Sequence, residues 1–171
     1  MIFDKVQRLL DQITDSLAQI DNTDYTTPIE AFDGATLGQH TRHVVEHFQC
    51  LIKSQSSRHI NYDNRERSLP LESDIEECIS AMSEISKNIR SNDFEIEIMQ
   101  DFLKSASNVG TIRSSYLREV LYNMDHLVHH QALMKIGFLQ LKPQMHMSKH
   151  FGYADATIKH KINVHAELPS S

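Results

Sequence analysis

His126, His129 and His130 stand close together in the run SYLREVLYNMDHLVHHQALMKIGFLQL, residues 115–141. The apolar residues of that run recur at helical spacing. On a helix His126 and His130 share one face, about 6 Å apart along the axis, so two imidazoles could hold one transition-metal ion. For an isolated pair, ordinary histidines on a helix are the commoner explanation. A second cluster changes the balance. Thr36-Leu-Gly-Gln-His40-Thr-Arg-His43-Val-Val-Glu-His47 also reads as a helix. On it His40 and His47 fall within about 20° of each other, and His43 lies about 40° from His47. His129 is turned about 100° from His130 and points elsewhere.

Two histidine-lined faces in one helical domain meet most simply in its middle, because such sites are built from facing helices. Neutral imidazole is the usual protein ligand of zinc and also suits nickel, copper and iron. Three histidines leave a coordination position open, as catalytic rather than structural zinc sites do. That position acidifies a water or takes a thiolate. The competing explanation, buried histidines bonded to one another and to acids, is the weaker of the two for the combined clusters.

Other residues fall near this face. Glu119 is seven residues and Tyr122 four residues before His126, so both project to the same side and are the candidate catalytic residues. Tyr62, Asp63, Arg65 and Arg67 form a polar group in a long loop. From it Tyr62, Arg65 and Arg67 are the candidate substrate-binding residues, an arginine closing over the open position to take an anion. Glu46 is turned about 100° from His47 and is expected at the surface. Cys50 and Cys78 form no CxxC pattern and are expected to be buried packing residues.

The elements that must position these groups are predominantly helical. Ile2, Val6, Leu9, Leu10, Ile13, Leu17 and Ile20 mark a first helix. A polar stretch at 22–35, with Pro28 and Gly34, reads as a loop. Thr36 and Gln39 form a capping-box pattern before a helix from Leu37 to about Ser54. Residues 58–72 read as a long charged loop, and Ser73 as the cap of a third helix with Ile75, Ile79, Met82, Ile85 and Ile89 on its apolar stripe. Residues 94–102 and 109–112 carry a partial β pattern that would make a short hairpin or an extended crossing. Ser114 or Ser115 caps the fourth helix, Pro143 ends it, and a short helix can follow Asp155. The expected architecture is all-α: a four-helix bundle with long crossovers, as one domain with its core at about 2–142 and a C-terminal extension at 143–171.

Composition narrows the function classes. The net charge of −6 and the lack of basic runs argue against a nucleic-acid partner. No apolar stretch approaches a membrane span. The first twenty residues are amphipathic with acids throughout, unlike a secretory or transit leader. Two unpaired cysteines suit a reducing cytoplasm.

The pattern S/T-x-G-x-H-x-x-H on an early helix, with H-x-x-H-H on the last core helix, resembles the DinB-like superfamily over about residues 9–141. The resemblance implies a four-helix bundle with a long crossover, often homodimeric. It also implies one divalent metal, zinc or nickel first among the candidates, on a histidine of the second helix and an i,i+4 pair of the fourth. Placed from Thr36, those ligands are His43, His126 and His130, with His47 and His40 as second choices. The common continuation H-H-R-G-Q is here His129-His130-Gln131-Ala132-Leu133, so no arginine role carries over. The implied activities are a metal-dependent thiol transferase or hydrolase acting on a small electrophile. The alternatives are a non-catalytic metal-binding or stress-related protein and, from His43-Val-Val-Glu46-His47, an H-x-x-E-H metallopeptidase.

Overall fold

The computed structural model describes residues 2–105 and 108–167. Its elements, in chain order, are α1 (Ile2–Leu17), α2 (Asn22–Thr26), a 3-10 turn (Glu30–Phe32) and α3 (Leu37–Ser57). There follow β1 (His59–Ile60), α4 (Leu69–Ser73), α5 (Ile75–Asn88), β2 (Glu95–Ser105) and β3 (Asn108–Ser115). The last two are α6 (Tyr116–Leu141) and α7 (Asp155–Glu167). The protein is thus mostly helical with a small three-stranded sheet, not purely α.

Four long helices enclose the core. α3 packs on α5 and α6, and α1 packs on the same two helices from the opposite side. Leu10, Ile13 and Leu17 of α1, Phe48 and Leu51 of α3, Met82 and Ile85 of α5, and Leu127, Met134 and Phe138 of α6 are all buried there. Their removal from water is the main stabilising term of the domain. Among the described residues no helix is long and apolar enough to cross a membrane.

The caps decide where the helices start. Thr36 Oγ1 accepts from Gln39 N at 3.1 Å and Gln39 Oε1 accepts from Thr36 N at 3.3 Å, a complete capping box. Asp74, not Ser73, caps α5 by accepting from Glu76 N at 2.9 Å. Ser73 instead ends α4, its hydroxyl donating to the Leu69 carbonyl. Neither serine expected at the start of α6 supplies its cap: Ser115 holds the N-cap position without a side-chain bond. Asp93, on the approach to β2, accepts from Leu117 N at 2.9 Å. A distant acid therefore does what the adjacent serines were expected to do.

The stretches read as loops carry short elements. Residues 22–35 hold α2 and the 3-10 turn, and residues 58–72 hold β1 and α4. The beginning of α3 lies so close to α4 that a Cβ on Gly38 would come within 2.0 Å of the Glu72 carbonyl oxygen. Tyr25 closes the same junction by donating to the Leu71 carbonyl at 2.8 Å.

The strands are longer than the expected hairpin. β2 and β3 pair antiparallel, with Ile98 opposite Ile112 and Glu97 opposite Arg113. β1 pairs parallel to β2 through His59–Glu97 and Ile60–Ile98, which fastens the hairpin to the end of α3. Arg58 reinforces the joint with its guanidinium 3.8 Å from the Phe94 ring centre. At the other end, Phe151 is buried against Phe138, and Gly152 N donates to Gln131 Oε1 at 3.2 Å. The segment after Pro143 thus begins by packing onto α6.

Candidate metal centre

Five imidazoles collect along the contact between α3 and α6. His43 Nε2 and His126 Nε2 face each other at 2.9 Å, and His40 Nδ1 and His130 Nδ1 at 3.1 Å. The His43 and His130 ring centres are 4.7 Å apart, and those of His126 and His130 4.5 Å. One ligand nitrogen from each of His43, His126 and His130 lies within 4.8 Å of the other two. His47 packs against the same group, 4.4 Å from the His43 ring and 4.6 Å from the His126 ring. His129 is exposed at the margin, its ring 5.4 Å from that of His130.

Helix geometry explains this convergence. Successive turns of α3 present His40, His43 and His47, and successive turns of α6 present His126 and His130. Close packing of the two helices brings the rows together. His47 and His130 are buried, whereas His40, His43 and His126 are half-buried, so part of the group is open to solvent.

Burial holds these rings in their neutral form. It lowers the His43 pKa to about 4, with the Arg65 guanidinium and His126 adding to the effect. His47 and His130 are each pushed down to about 2, by burial first and by neighbouring histidines second. His40 and His126 are lowered by burial and then by His129. A neutral imidazole offers a lone pair that a protonated ring lacks.

The donor set fits a divalent ion of zinc type. Tetrahedral nitrogen ligands at zinc stand about 3.3 Å from one another. The His43–His126 pair needs only a few tenths of an ångström of opening to reach that spacing. His47 Nδ1 is buried without a hydrogen-bond partner, a polar atom that an ordinary packed core would satisfy.

The candidate catalytic residues lie to one side of this group. Glu119 is fully buried, and its carboxylate accepts from the Tyr62 hydroxyl (3.0 Å), the Ser114 hydroxyl (2.6 Å) and Arg118 (2.7 Å). Tyr62 links it to the histidines, its ring stacked on His47 at 4.8 Å and 9°. Burial and the Glu119 carboxylate push the Tyr62 hydroxyl above the usual phenol range, so it stays a donor. Asn123 donates to the same hydroxyl and to the Glu119 carbonyl, each at 2.8 Å. Tyr122 lies outside, stacked near His126 at 5.9 Å and 13°, with the Arg118 guanidinium 5.6 Å from its ring centre.

The candidate substrate-binding arginines separate. Arg65 turns inward, where it donates to the Tyr62 carbonyl and places Nε 3.5 Å from Glu46 Oε2. Arg67 is exposed and no contact ties it to the histidines among the described residues. Tyr62 contributes its ring to the cluster rather than a free hydroxyl. A cavity of about 320 Å3 lies beside it, lined in part by Tyr62, Ile98, Ile112, Ser114 and Tyr122.

Glu46 corrects an expectation. It is not at the surface but 3% exposed, its Oε1 accepting from Ser68 N at 2.8 Å and its Oε2 facing Arg65 and Arg42. The loop at 58–68 folds over this side of α3, a contact that the helical wheel does not contain. Cys50 is likewise only half-buried, while Cys78 is buried and its thiol pushed up to about 12 by that burial. Asn123 and Arg118 were missed in the sequence. Their spacing from Glu119, four residues and one, was the available signal.

No family model matches the sequence, and no solved structure matches the fold. The chain is 30% identical over 106 residues to FK506-binding protein 5 of Rhizopus delemar, an alignment covering 59% of this chain and 27% of that protein. The chain therefore spans about a quarter of the length of the curated relative that it matches.

Proposed function

We propose that this protein is a DinB-like bundle that holds one divalent ion, zinc or nickel, on His43, His126 and His130. The observation that carries this reading is the convergence of three neutral imidazole nitrogens within 4.8 Å on two facing helices. When bound, the ion would act as a Lewis acid that lowers the pKa of a thiol or a water. The function that follows is a metal-dependent thiol transferase or hydrolase acting on a small electrophile. The protein would work in the cytoplasm, as a homodimer.

The chain's own residues divide the work in a way that supports this reading. Burial keeps the three ligand rings neutral, and the half-buried side of the cluster leaves an approach for a small molecule. Tyr62 and Tyr122 stand at the boundary between the histidines and the neighbouring cavity, so they would orient a substrate and exclude water. Glu119 fixes Tyr62, and Glu46 fixes Arg65. Both carboxylates act here by positioning.

A non-catalytic metal-binding protein is the second reading, favoured by the closeness of His47 to His43 and His126. A fourth imidazole would close the site. The H-x-x-E-H peptidase reading loses support because Glu46, its required base, is committed to Ser68 and the arginines. The name FK506-binding protein 5 describes a protein almost four times as long as the matched stretch, so ligand binding of that kind is not proposed for this chain.

Metal analysis of protein purified without a histidine tag tests the assignment. One ion per chain is expected, with retention lost in His43→Ala, His126→Ala and His130→Ala. Their affinity should fall by more than the roughly 10–100-fold typical of an outer-shell partner. Full retention in all three variants would defeat the site.

A further inference from the structure

His40 is an additional histidine beside the three proposed ligands, and its contact with His130 has a definite chemical consequence. His40 Nδ1 stands 3.1 Å from His130 Nδ1, while Phe32 packs edge-on against the His40 ring at 4.6 Å. A neutral imidazole has one N–H donor and one lone-pair acceptor. A contact between two such nitrogens at this distance therefore requires one to donate and the other to accept. With Nδ1 engaged by His40, His130 has only Nε2 left to offer to an ion shared with His43 and His126. That nitrogen must then be bare, which puts the His130 proton on Nδ1.

We infer that His40 is a positioning residue: its Nδ1 accepts a hydrogen bond from His130 Nδ1–H, fixing His130 in the tautomer that presents Nε2 to the ion. The inference rests on the three-histidine reading above. His40 in turn carries its own proton on Nε2, and Phe32 holds the ring in place. This is the role that a carboxylate or backbone carbonyl usually fills behind a metal-bound histidine. Here a second imidazole on the facing helix fills it. The buried carboxylates of Glu46 and Glu119 are otherwise engaged, Glu46 with Ser68 and Arg65 and Glu119 with Tyr62, Ser114 and Arg118.

His40 lies outside the converging set of three, its Nδ1 facing His130. Loading the site would leave this hydrogen bond in place, so His40 contributes to affinity without touching the ion.

Two variants and one spectrum test this assignment. His40→Phe keeps a ring against Phe32 but removes the acceptor, whereas His40→Gln keeps an acceptor oxygen. Zinc affinity, read by chelator competition, should weaken by about 10–100-fold in His40→Phe. His40→Gln should recover most of the loss, and X-ray absorption should count the same number of imidazoles in all three proteins. In zinc-loaded wild-type protein, nitrogen NMR should show His130 protonated at Nδ1, with a scalar coupling to an unprotonated His40 Nδ1. Unchanged affinity in His40→Phe, or one imidazole fewer in His40→Gln, would overturn the inference while leaving the three-ligand site standing. A His130 proton found on Nε2 would overturn it without recourse to either variant. Failure of wild-type protein to bind zinc would remove the three-ligand reading itself, and the inference with it.

Discussion

The buried carboxylates and the histidine cluster solve the problem of burial in opposite ways. In the Glu119 and Glu46 networks, buried carboxylates are retained by opposite charge and hydrogen bonds: Arg118, Ser114 and Tyr62 serve one, and Arg65, Arg42 and Ser68 the other. In the histidine cluster, no buried acid among the described residues neutralises the rings, and burial keeps them uncharged. Paired charges hold loops and strands onto helices. Neutral imidazoles keep lone pairs that a ligand can take. The difference separates residues that maintain the fold from residues available to a ligand.

The largest consequence lies in the pH dependence of the metal-free protein. Histidine in an unfolded chain titrates near 6.5, whereas His43 in the fold titrates at about 4 and His47 and His130 at about 2. As the pH falls below 6.5 the unfolded chain takes up protons that the folded one does not. Stability must therefore drop on acidification, by up to about 1.4 kcal/mol per pH unit for each such histidine. For His43 the loss runs from about 6.5 down to about 4 and then levels. Urea denaturation between pH 7 and 5, above the usual carboxylate range, measures it. A stability that is flat over that interval would mean that the rings are not held neutral.

Glu119→Ala should act on the other region. It strips partners from Tyr62, Ser114 and Arg118 at once, at a cost of about 3 kcal/mol in a denaturation experiment. A change below about 0.5 kcal/mol would put Glu119 outside the structural network and return it to the list of candidate bases.

The two arginines give the smallest effects and the sharpest internal contrast. Arg65→Ala uncovers the buried Glu46 carboxylate and should cost about 2 kcal/mol. Arg67→Ala, at an exposed position, should stay within about 0.5 kcal/mol. Equal effects on stability would contradict the placement of Arg65.

Much of this arrangement is legible in the sequence because helical periodicity is local. The spacing of Ile2 to Leu17, the Thr36–Gln39 capping box and the shared face of His126 and His130 follow from 3.6 residues per turn. The contact of the histidine rows needed only the assumption that two such faces meet. What was not legible depends on distant segments. Glu46 looks exposed until the loop at 58–68 brings Arg65 and Ser68 over it. The start of α6 looks serine-capped until Asp93 arrives from the approach to β2. The partners of Glu119 are hidden in the same way, Tyr62 donating to it from fifty-seven residues away in sequence. The cause is common to all three: a polar side chain on a helix cannot reveal its partner when that partner comes from another element.

X-ray absorption on zinc-loaded protein is the sharpest test of a three-histidine site with an open position. Three imidazole nitrogens at about 2.0–2.1 Å are expected, with a sulfur neighbour at about 2.3 Å once a small thiol is added. Four imidazoles with no response to thiol would contradict it, because the site would then be closed.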